Sequence, residues 1–334
     1  MNNKKYSKIT VLFILAIVLN IRDVQAAEPI DLKLALRPNQ KYEMRLTSKT
    51  NSSQTEQGQV SKSVDEEIVE AVFHVEDVNA QGDVLMTVTF EKLQIKKKSP
   101  MSTIEFDSTK PDTGPSNQIN SVYSALVGQS FKIKVASNGN ILELLSIDDM
   151  VLKMAEKVIA AEDEKMDKRA IQKLNQKYGT REKRKEKLKK VIEMFFFGEE
   201  KIRSMMRAFI QVLPSGPVKI GDSWDGEIDI EDLQGSEINL KNILKNYEKD
   251  KAIIDSVYER SLDNKPIKHK TNPEMIFTKI DYSGTAQIDR SSGWIIRKEV
   301  KASLSAEFRH QGITTPISVN IVKTIEPAES IPSP

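Results

Sequence analysis

Apolar and polar residues alternate along two long tracts of this chain, and a tract of different period lies between them. Leu32, Leu34 and Leu36 begin the alternation, which resumes after Arg37-Pro-Asn-Gln40 as Tyr42, Met44 and Leu46. A period of two predicts strands with one buried face. Ile68–Val78 and Val84–Leu93 flank the turn-rich Asn79-Ala-Gln-Gly-Asp83, a hairpin pattern. A short helix is predicted over Val122–Val127. Phe131, Ile133 and Val135 then share one face, Asn138-Gly139 supplies a tight-turn signal, and Ile141–Leu145 returns as the partner strand. Thr47–Ser63 has hardly an apolar residue and is expected to mix solvated loop with an edge strand that leaves the sheet. Lys96–Asn120 is expected to form a long surface loop.

Between residues 147 and 212 the period changes to that of a helix. Ile147, Met150, Val151, Met154, Val158 and Ile159 make one stripe, with Asp148 and Asp149 placed to complement the positive end of the helix dipole. Met166, Ala170, Leu174 and Tyr178 make a second before Gly179-Thr180. Leu188, Val191, Ile192 and Phe195 make a third, and Ile202, Met205, Met206 and Phe209 a fourth after Gly198. Two to four amphipathic helices fit. Pro214 and Pro217 end the tract, because proline lacks the backbone donor and disfavours helix in the residue before it.

Alternation then returns. Gly221-Asp222-Ser223 offers turn chemistry ahead of Trp224, whose ring is expected to anchor a core. Leu240–Tyr247 and Ala252–Tyr258 are short strands by composition. Phe277–Arg290 turns through Ser291-Ser-Gly293 into Trp294–Phe308, and Thr315–Ile325 forms the last strand. Val218–Ile228 can be laid over Leu36–Leu46 without a gap, and the Gly293 hairpin parallels the Gly139 hairpin. A duplicated β unit split by a helical insertion follows. The fold class is therefore α+β, predominantly antiparallel, a curved sheet or partial barrel of two similar halves with an inserted amphipathic helical segment. The divisions are 1–26, 27–146, 147–212, 213–328 and a loose tail at 329–334.

The first 26 residues change the picture of where the chain works. Lys4, Lys5 and Lys8 precede the apolar run Val11–Leu19, and small residues follow at Ala26 and Ala27, the order of a secretory signal peptide with cleavage after Ala26. The run falls short of the ~20 apolar residues that span a bilayer. Removing the leader takes away four basic residues and one acidic residue, so the formal charge moves from +2 to −1 and the precursor's basic balance is no nucleic-acid signal. The expected product is periplasmic or secreted, soluble after cleavage, with no nucleic-acid partner. Cysteine is absent, so the fold stands on packing without disulfides.

Three stretches carry a family resemblance. They are Gly221-Asp222-Ser223-Trp224 after Leu213-Pro-Ser-Gly-Pro-Val218, Leu126-Val-Gly-Gln129 followed by a strand and the Asn138-Gly139 turn, and the Ile288-Asp-Arg-Ser-Ser-Gly-Trp294 hairpin. Together they resemble the bacterial exported proteins grouped as domain of unknown function 6263, over most of the chain beyond the leader. The resemblance implies structural roles for Gly221, Asp222, Trp224, Gly293 and Trp294, brings no catalytic residue with it, and implies that the charged helical stretch is expanded in this member.

The candidate chemistry is sparse. His74, His269 and His310 lie in no nucleophile or metal motif, and the Gly-x-Ser-x-Gly, His-Glu-x-x-His and Gly-x-x-x-x-Gly-Lys patterns are missing. Asp222 and Ser223 are adjacent, and adjacent strand residues face opposite ways, so they read as turn and strand entry. The acidic groups Asp65–Glu67, Glu162–Glu164 and Asp229–Asp232 read as solvated surface, and Asp229–Glu237 departs from the calcium-loop spacing. No metal and no cofactor is expected.

The helical tract holds six of the eleven methionines together with Phe195, Phe196, Phe197 and Phe209. That soft surface either packs on the sheet or adapts to ligands, and Phe195, Met205 and Phe209 are the candidate ligand contacts. Lys177–Lys190 carries eight basic residues against two Glu, a solvated face or a surface for an anionic partner. The reading is an exported, non-catalytic cell-envelope protein that holds a lipid or other apolar or amphiphilic ligand between sheet and helices. The alternatives are a structural or interaction module meeting an envelope protein or anionic surface, and a carboxylate-based hydrolase.

Overall fold

The computed structural model describes residues 28–56, 58–110, 118–227, 240–258, 267–269, 274–310 and 313–328. The expected leader, the tail from 329, the Asp229–Glu237 segment and most of the loop between 261 and 272 lie outside the described residues.

The first half of the chain forms β1 (Lys41–Glu56), β2 (Gln59–Val78), β3 (Val84–Lys98), β4 (Thr103–Asp107), β5 (Ser130–Val135) and β6 (Ile141–Leu145), with helix α1 (Gln118–Leu126) before β5. The second half forms β7 (Ser223–Gly226), β8 (Leu240–Tyr247), β9 (Lys251–Tyr258), β10 (Ile267–His269), β11 (Glu274–Asp289), β12 (Ile295–His310) and β13 (Ile313–Pro327). All belong to one sheet of 13 strands, in the order β6-β5-β3-β2-β1-β13-β12-β11-β9-β8-β7, with β4 beside β3 and β10 beside β11. The α+β class with a predominantly antiparallel, curved sheet is what the structure has.

That order contains the duplication. The succession β6-β5-β3-β2-β1 is matched by β12-β11-β9-β8-β7, two five-strand meanders laid in the same sense. β13 is the seam, antiparallel to β1 on one side and to β12 on the other. Both halves therefore share one sheet.

Between β6 and β7 the chain forms α2 (Ile147–Glu164), α3 (Lys168–Tyr178), α4 (Arg181–Ile192), a π-helical turn (Glu193–Phe197) and α5 (Glu199–Phe209). β6 and β7 stand at opposite ends of the sheet, so this segment must cross it. Its apolar stripe lies on the sheet: Met150, Val151, Met154 and Val158 of α2 and Ile202, Met206 and Phe209 of α5 are buried in the same core as Phe73, Val88, Phe131 and Ile133. An i, i+3, i+4 stripe packed on a period-two strand face is the combination that buries both. Asp167 and Thr180 cap α3 and α4 by accepting from the backbone N–H of Ala170 and Lys183.

α5 ties the sheet ends together. Arg203 donates to the Ile141 carbonyl of β6 at 3.4 Å, Arg207 pairs with Glu227 just after β7 at 2.6 Å, and Lys298 of β12 donates to the Arg207 carbonyl at 3.3 Å. Leu213 N–H reaches the Asn138 carbonyl in the β5–β6 turn at 2.7 Å, and Trp224 Nε1 reaches the Val212 carbonyl at 2.9 Å. A flat sheet could not bring these groups to one helix, so the sheet curls around it.

Several expectations change. Leu32–Leu36 is extended with Leu32, Leu34 and Leu36 buried, yet it is no strand of the sheet. Its backbone bonds go to two hairpin turns, Leu34 N–H to Ser137 and Ala35 N–H to Ser292, and Ile30 bridges Val218. Apolar alternation reports a buried face, and the partner of the backbone is a separate matter. Thr47–Ser63 stays in the sheet: β1 pairs with β2 through Glu56–Gln59 and with β13 through Gln54–Ile317. Residues 47–54 are paired on both sides, whereas Gln59–Ser63 pairs with β1 alone and forms an edge, and the Ser and Thr side chains need no apolar cover. The expected loop at Lys96–Asn120 contains β4 and the start of α1. Trp224 is half-buried, whereas Trp294 is buried with its ring 4.6 Å from Tyr42 and 5.3 Å from Phe73. The larger share of the core-anchoring role falls to Trp294.

Candidate ligand-binding site

A cavity of about 280 Å³ lies between the sheet and the helical layer. Strands β1, β2, β3 and β13 provide one wall through Leu46, Val69, Phe90, Leu93 and Ile321. The opposite wall comes from α1, the π-helical turn and α5 through Tyr123, Leu126, Phe195–Phe197 and Met205. The strand side chains face it because they occupy alternate positions of the covered face.

The π-helical turn sets the aromatic wall. Three consecutive phenylalanines follow Met194, and the wide turn spreads them: Phe197 is buried, Phe196 half-buried and Phe195 61 % exposed. Such turns recur at functional sites because they re-aim side chains in mid-helix. Phe196 stands edge-on to Tyr123 at 5.7 Å, and Tyr123 meets Phe106 at 5.8 Å. Gly198 ends the turn where a Cβ would lie 2.5 Å from the Glu193 carbonyl oxygen. Lys201 Nζ donates to the Phe195 carbonyl at 3.1 Å and fixes the turn from α5.

A polar collar sits on the strand side. Lys97 Nζ is 2.8 Å from Glu67 and 3.8 Å from Asp65. Burial by itself would lower the Lys97 ammonium, but Glu67 offsets it and holds its pKa above the ordinary lysine value. Burial raises the Asp65 carboxyl and the Tyr123 phenol, with Lys97 pulling each the other way. One lysine thus bridges two carboxylates and ties them into a paired rim. Among the described residues no group of three or more His, Asp or Glu side chains is arranged to hold a metal ion.

A second, open groove of about 1070 Å³ lies within the helical layer. Val122 of α1, Ile159 of α2, Leu174 and Tyr178 of α3 and Leu188 and Val191 of α4 line it. Phe195 and Phe196 line both spaces and form the partition between them. Exposed apolar side chains collect beside it: Tyr178, Val191, Met194 and Phe195 are all more than two-fifths accessible.

The three candidate contacts have different situations. Phe195 stands on the partition, Met205 lines the sheet–helix cavity, and Phe209 is fully buried with its ring 5.3 Å from Phe73, outside the lining of either space. Gly221 takes φ +93° in the turn that feeds β7, and Asp222 Oδ2 accepts the Lys219 N–H at 2.8 Å. Gly293 takes φ +70° where its Cα closes on the Lys33 carbonyl. His74 is half-buried on the sheet face opposite Phe73. His269 is in β10 and His310 ends β12. Sequence reading missed Tyr123 and Lys97, whose only signal was their place on covered strand or helix faces, and it read Glu67, here paired with Lys97 at the cavity, as solvated surface. It also missed Arg184, a member of the basic run that the fold buries to 6 % exposure.

Among the described residues no helix is long and apolar enough to cross a membrane. No curated protein matches the chain. Several solved structures align with it at low identity, among them the following three. Lipovitellin, in a structure titled for its lipid–protein interactions, aligns at 9 % identity and a TM-score of 0.43 over 89 % of this chain and 26 % of its own. OccK5 (OpdH) of Pseudomonas aeruginosa aligns at 8 % and 0.20, over 87 % and 99 %. A DUF1329 family protein of Desulfovibrio piger aligns at 9 % and 0.12, over 86 % and 87 %. The chain thus spans about a quarter of the length of lipovitellin. In sequence, the profile of a family of unknown function, DUF6263, matches residues 81–195 and again 179–295, more than half of the chain, and the chain belongs to that family.

Proposed function

We propose that this chain is an exported, non-catalytic protein of the bacterial cell envelope that holds an apolar or amphiphilic ligand between its sheet and its helical layer. The observation that carries the reading is the cavity of about 280 Å³ walled by Phe90, Leu93, Leu126, Phe196 and Met205, with the exposed Phe195 on its partition. Its volume lies just below the roughly 300–1,000 Å³ of small-ligand sites, enough for part of an acyl chain. In this reading residues 27–146 and 213–328 supply the sheet frame and residues 147–212 the movable cover. Phe195 and Met205 meet the ligand, and Phe209 holds the cover to the frame. The leader directs export and is removed after Ala26.

The test is native mass spectrometry of the protein purified from its own cell envelope, before and after organic extraction, followed by titration with hexadecanol. A co-purified mass lost on extraction, or saturable hexadecanol binding weakened by Met205→Trp, is the expected result. A clean mass together with no hexadecanol binding overturns the reading. The exposed basic positions Lys183, Lys187 and Lys190 of α4 favour the interaction-module alternative in that event.

A further inference from the structure

The groove among the helices differs from the sheet–helix cavity in one chemical respect: a buried guanidinium lines it. Arg184 of α4 has a side chain only 5 % exposed. Its Nη2 donates to Asp163 Oδ1 of α2 at 2.7 Å, while Nε and Nη1 are buried without a hydrogen-bond partner among the described residues. Buried polar groups are nearly always satisfied, and a charged donor left unpaired is among the costlier exceptions. Asp163 is itself shared, since Arg181 approaches it to 3.5 Å. One carboxylate therefore serves two guanidinium groups.

The charged lining is mostly of the same sign. Lys165 and Lys187 join Arg184 along the groove, and Glu162 is the acidic side chain among the described lining residues. Burial raises the Glu162 carboxyl, with Arg184 acting the other way. Lys187 Nζ donates to the Tyr178 carbonyl at the end of α3 at 3.1 Å, which leaves its charge at the groove while fixing its position. The lining thus combines cations with the apolar Ile159, Leu174, Leu188 and Val191, the two kinds of surface that an amphiphile needs. At about 1070 Å³ it has room for a whole chain, which the smaller cavity lacks.

We propose that this groove is a binding site for a single-chain anionic amphiphile, a long-chain carboxylate, whose head group accepts hydrogen bonds from Arg184 and whose chain lies along α2, α3 and α4 against the Phe195–Phe196 partition. A carboxylate supplies what the guanidinium lacks, acceptors for buried N–H groups and a countercharge. The inference rests on the preceding reading in one respect, that the helical layer receives an acyl chain, and adds where the head lies and what charge it carries.

Hexadecanoic acid and hexadecanol share a chain and differ in the head, so titrating both separates the two ideas. Binding is followed by isothermal calorimetry on wild-type protein and on Arg184→Gln, Arg184→Lys, Val191→Trp and Met205→Trp, with far-UV circular dichroism to verify folding. The expected result is a preference of at least about tenfold for the acid, as one charge-assisted hydrogen bond supports. Arg184→Gln abolishes that preference, Arg184→Lys keeps part of it, Val191→Trp weakens the acid, and Met205→Trp weakens the alcohol. If Arg184→Gln fails to fold, Val191→Trp at its exposed position and the wild-type preference still decide. Equal binding of acid and alcohol, or an acid preference unaffected by Val191→Trp, overturns the head-group site and leaves chain binding standing. No binding of either overturns both readings.

Discussion

Replacing Phe209 and Phe195 by alanine, one at a time, separates two side chains that share one helical tract and have opposite duties. Phe209 is fully buried and packs on Phe73 at 5.3 Å, while Phe195 is 61 % exposed. Burial of about 200 Å² of aromatic surface at about 25 cal/mol per Å² sets an upper value of about 5 kcal/mol for the Phe209 ring. Phe→Ala changes in packed cores cost about 3–5 kcal/mol once the cavity is included. Phe209 also anchors the end of α5, the helix that meets β6 through Arg203 and β12 through Lys298, so little collapse is available to refill the space. Against a total stability of about 5–15 kcal/mol this is a large fraction.

The assay is urea unfolding followed by circular dichroism. With a slope near ~3 kcal/mol/M, Phe209→Ala lowers the midpoint by about 1 M or more. Phe195→Ala, which loses little burial, changes it by less than about 0.2 M, within the roughly ±0.5 kcal/mol usual at exposed positions. Saturating hexadecanol adds a second contrast. Bound ligand raises the wild-type midpoint, and Phe195→Ala loses part of that increment while Phe209→Ala keeps it, because stabilisation by a ligand follows its affinity. If Phe209→Ala costs less than about 1 kcal/mol, or Phe195→Ala costs as much as Phe209→Ala, the assignment of core and ligand duties is wrong.

Two glycines at positive φ offer a matched comparison. Gly293→Ala places a Cβ 2.2 Å from the Lys33 carbonyl oxygen, whereas Gly128→Ala, also at positive φ, meets nothing within 4 Å. Both carry a backbone cost of about 1–2 kcal/mol, and Gly293→Ala is expected to exceed Gly128→Ala by at least about 2 kcal/mol in chemical denaturation; equal losses would show that residues 28–36 do not press on the turn. Asp289 organises the same hairpin by accepting from the backbone and hydroxyl groups of Ser291 and Ser292. Burial alone would raise its carboxyl, but those hydrogen bonds outweigh it and hold the pKa below the usual carboxylate range. A depressed acid contributes stability above its unfolded pKa and loses it as pH falls through the folded value. The melting-temperature gap between wild type and Asp289→Asn should therefore be full at pH ~6 and shrink as the pH falls below the ordinary carboxylate range, and a gap independent of pH would refute the assignment. Finally, Asp163→Ala strands the Arg184 guanidinium and should cost about 3 kcal/mol, while adding Arg184→Met recovers part of it. A thermal-melt double-mutant cycle with no coupling would contradict the buried pair.

The sequence by itself determined most local structure. Period two placed β2, β3, β5, β6, β11 and β12, the Asn138-Gly139 and Ser291-Ser-Gly293 signals placed two hairpin turns, and helical stripes placed α2 and α5, because these patterns express steric and turn preferences among residues close in the chain. It also pointed to a repeat, seen in the matching order of the two meanders. Only the tertiary structure decided what each pattern packs against. Leu32–Leu36 alternates like a strand yet bonds to two turns, and the polar Thr47–Ser63 is held in the sheet by neighbours that include β13, far away in sequence. Phe195 and Phe209 look alike in a helical stripe, but one is exposed and the other is the floor of the core. Arg184 sits in a basic run that reads as solvated, and the crossing of α2 over α4 buries it beside Asp163. Periodicity specifies which side chains share a face. What covers that face depends on where β6 and β7, at opposite ends of the sheet, force the helical segment to cross, and that is a property of the whole chain closing on itself.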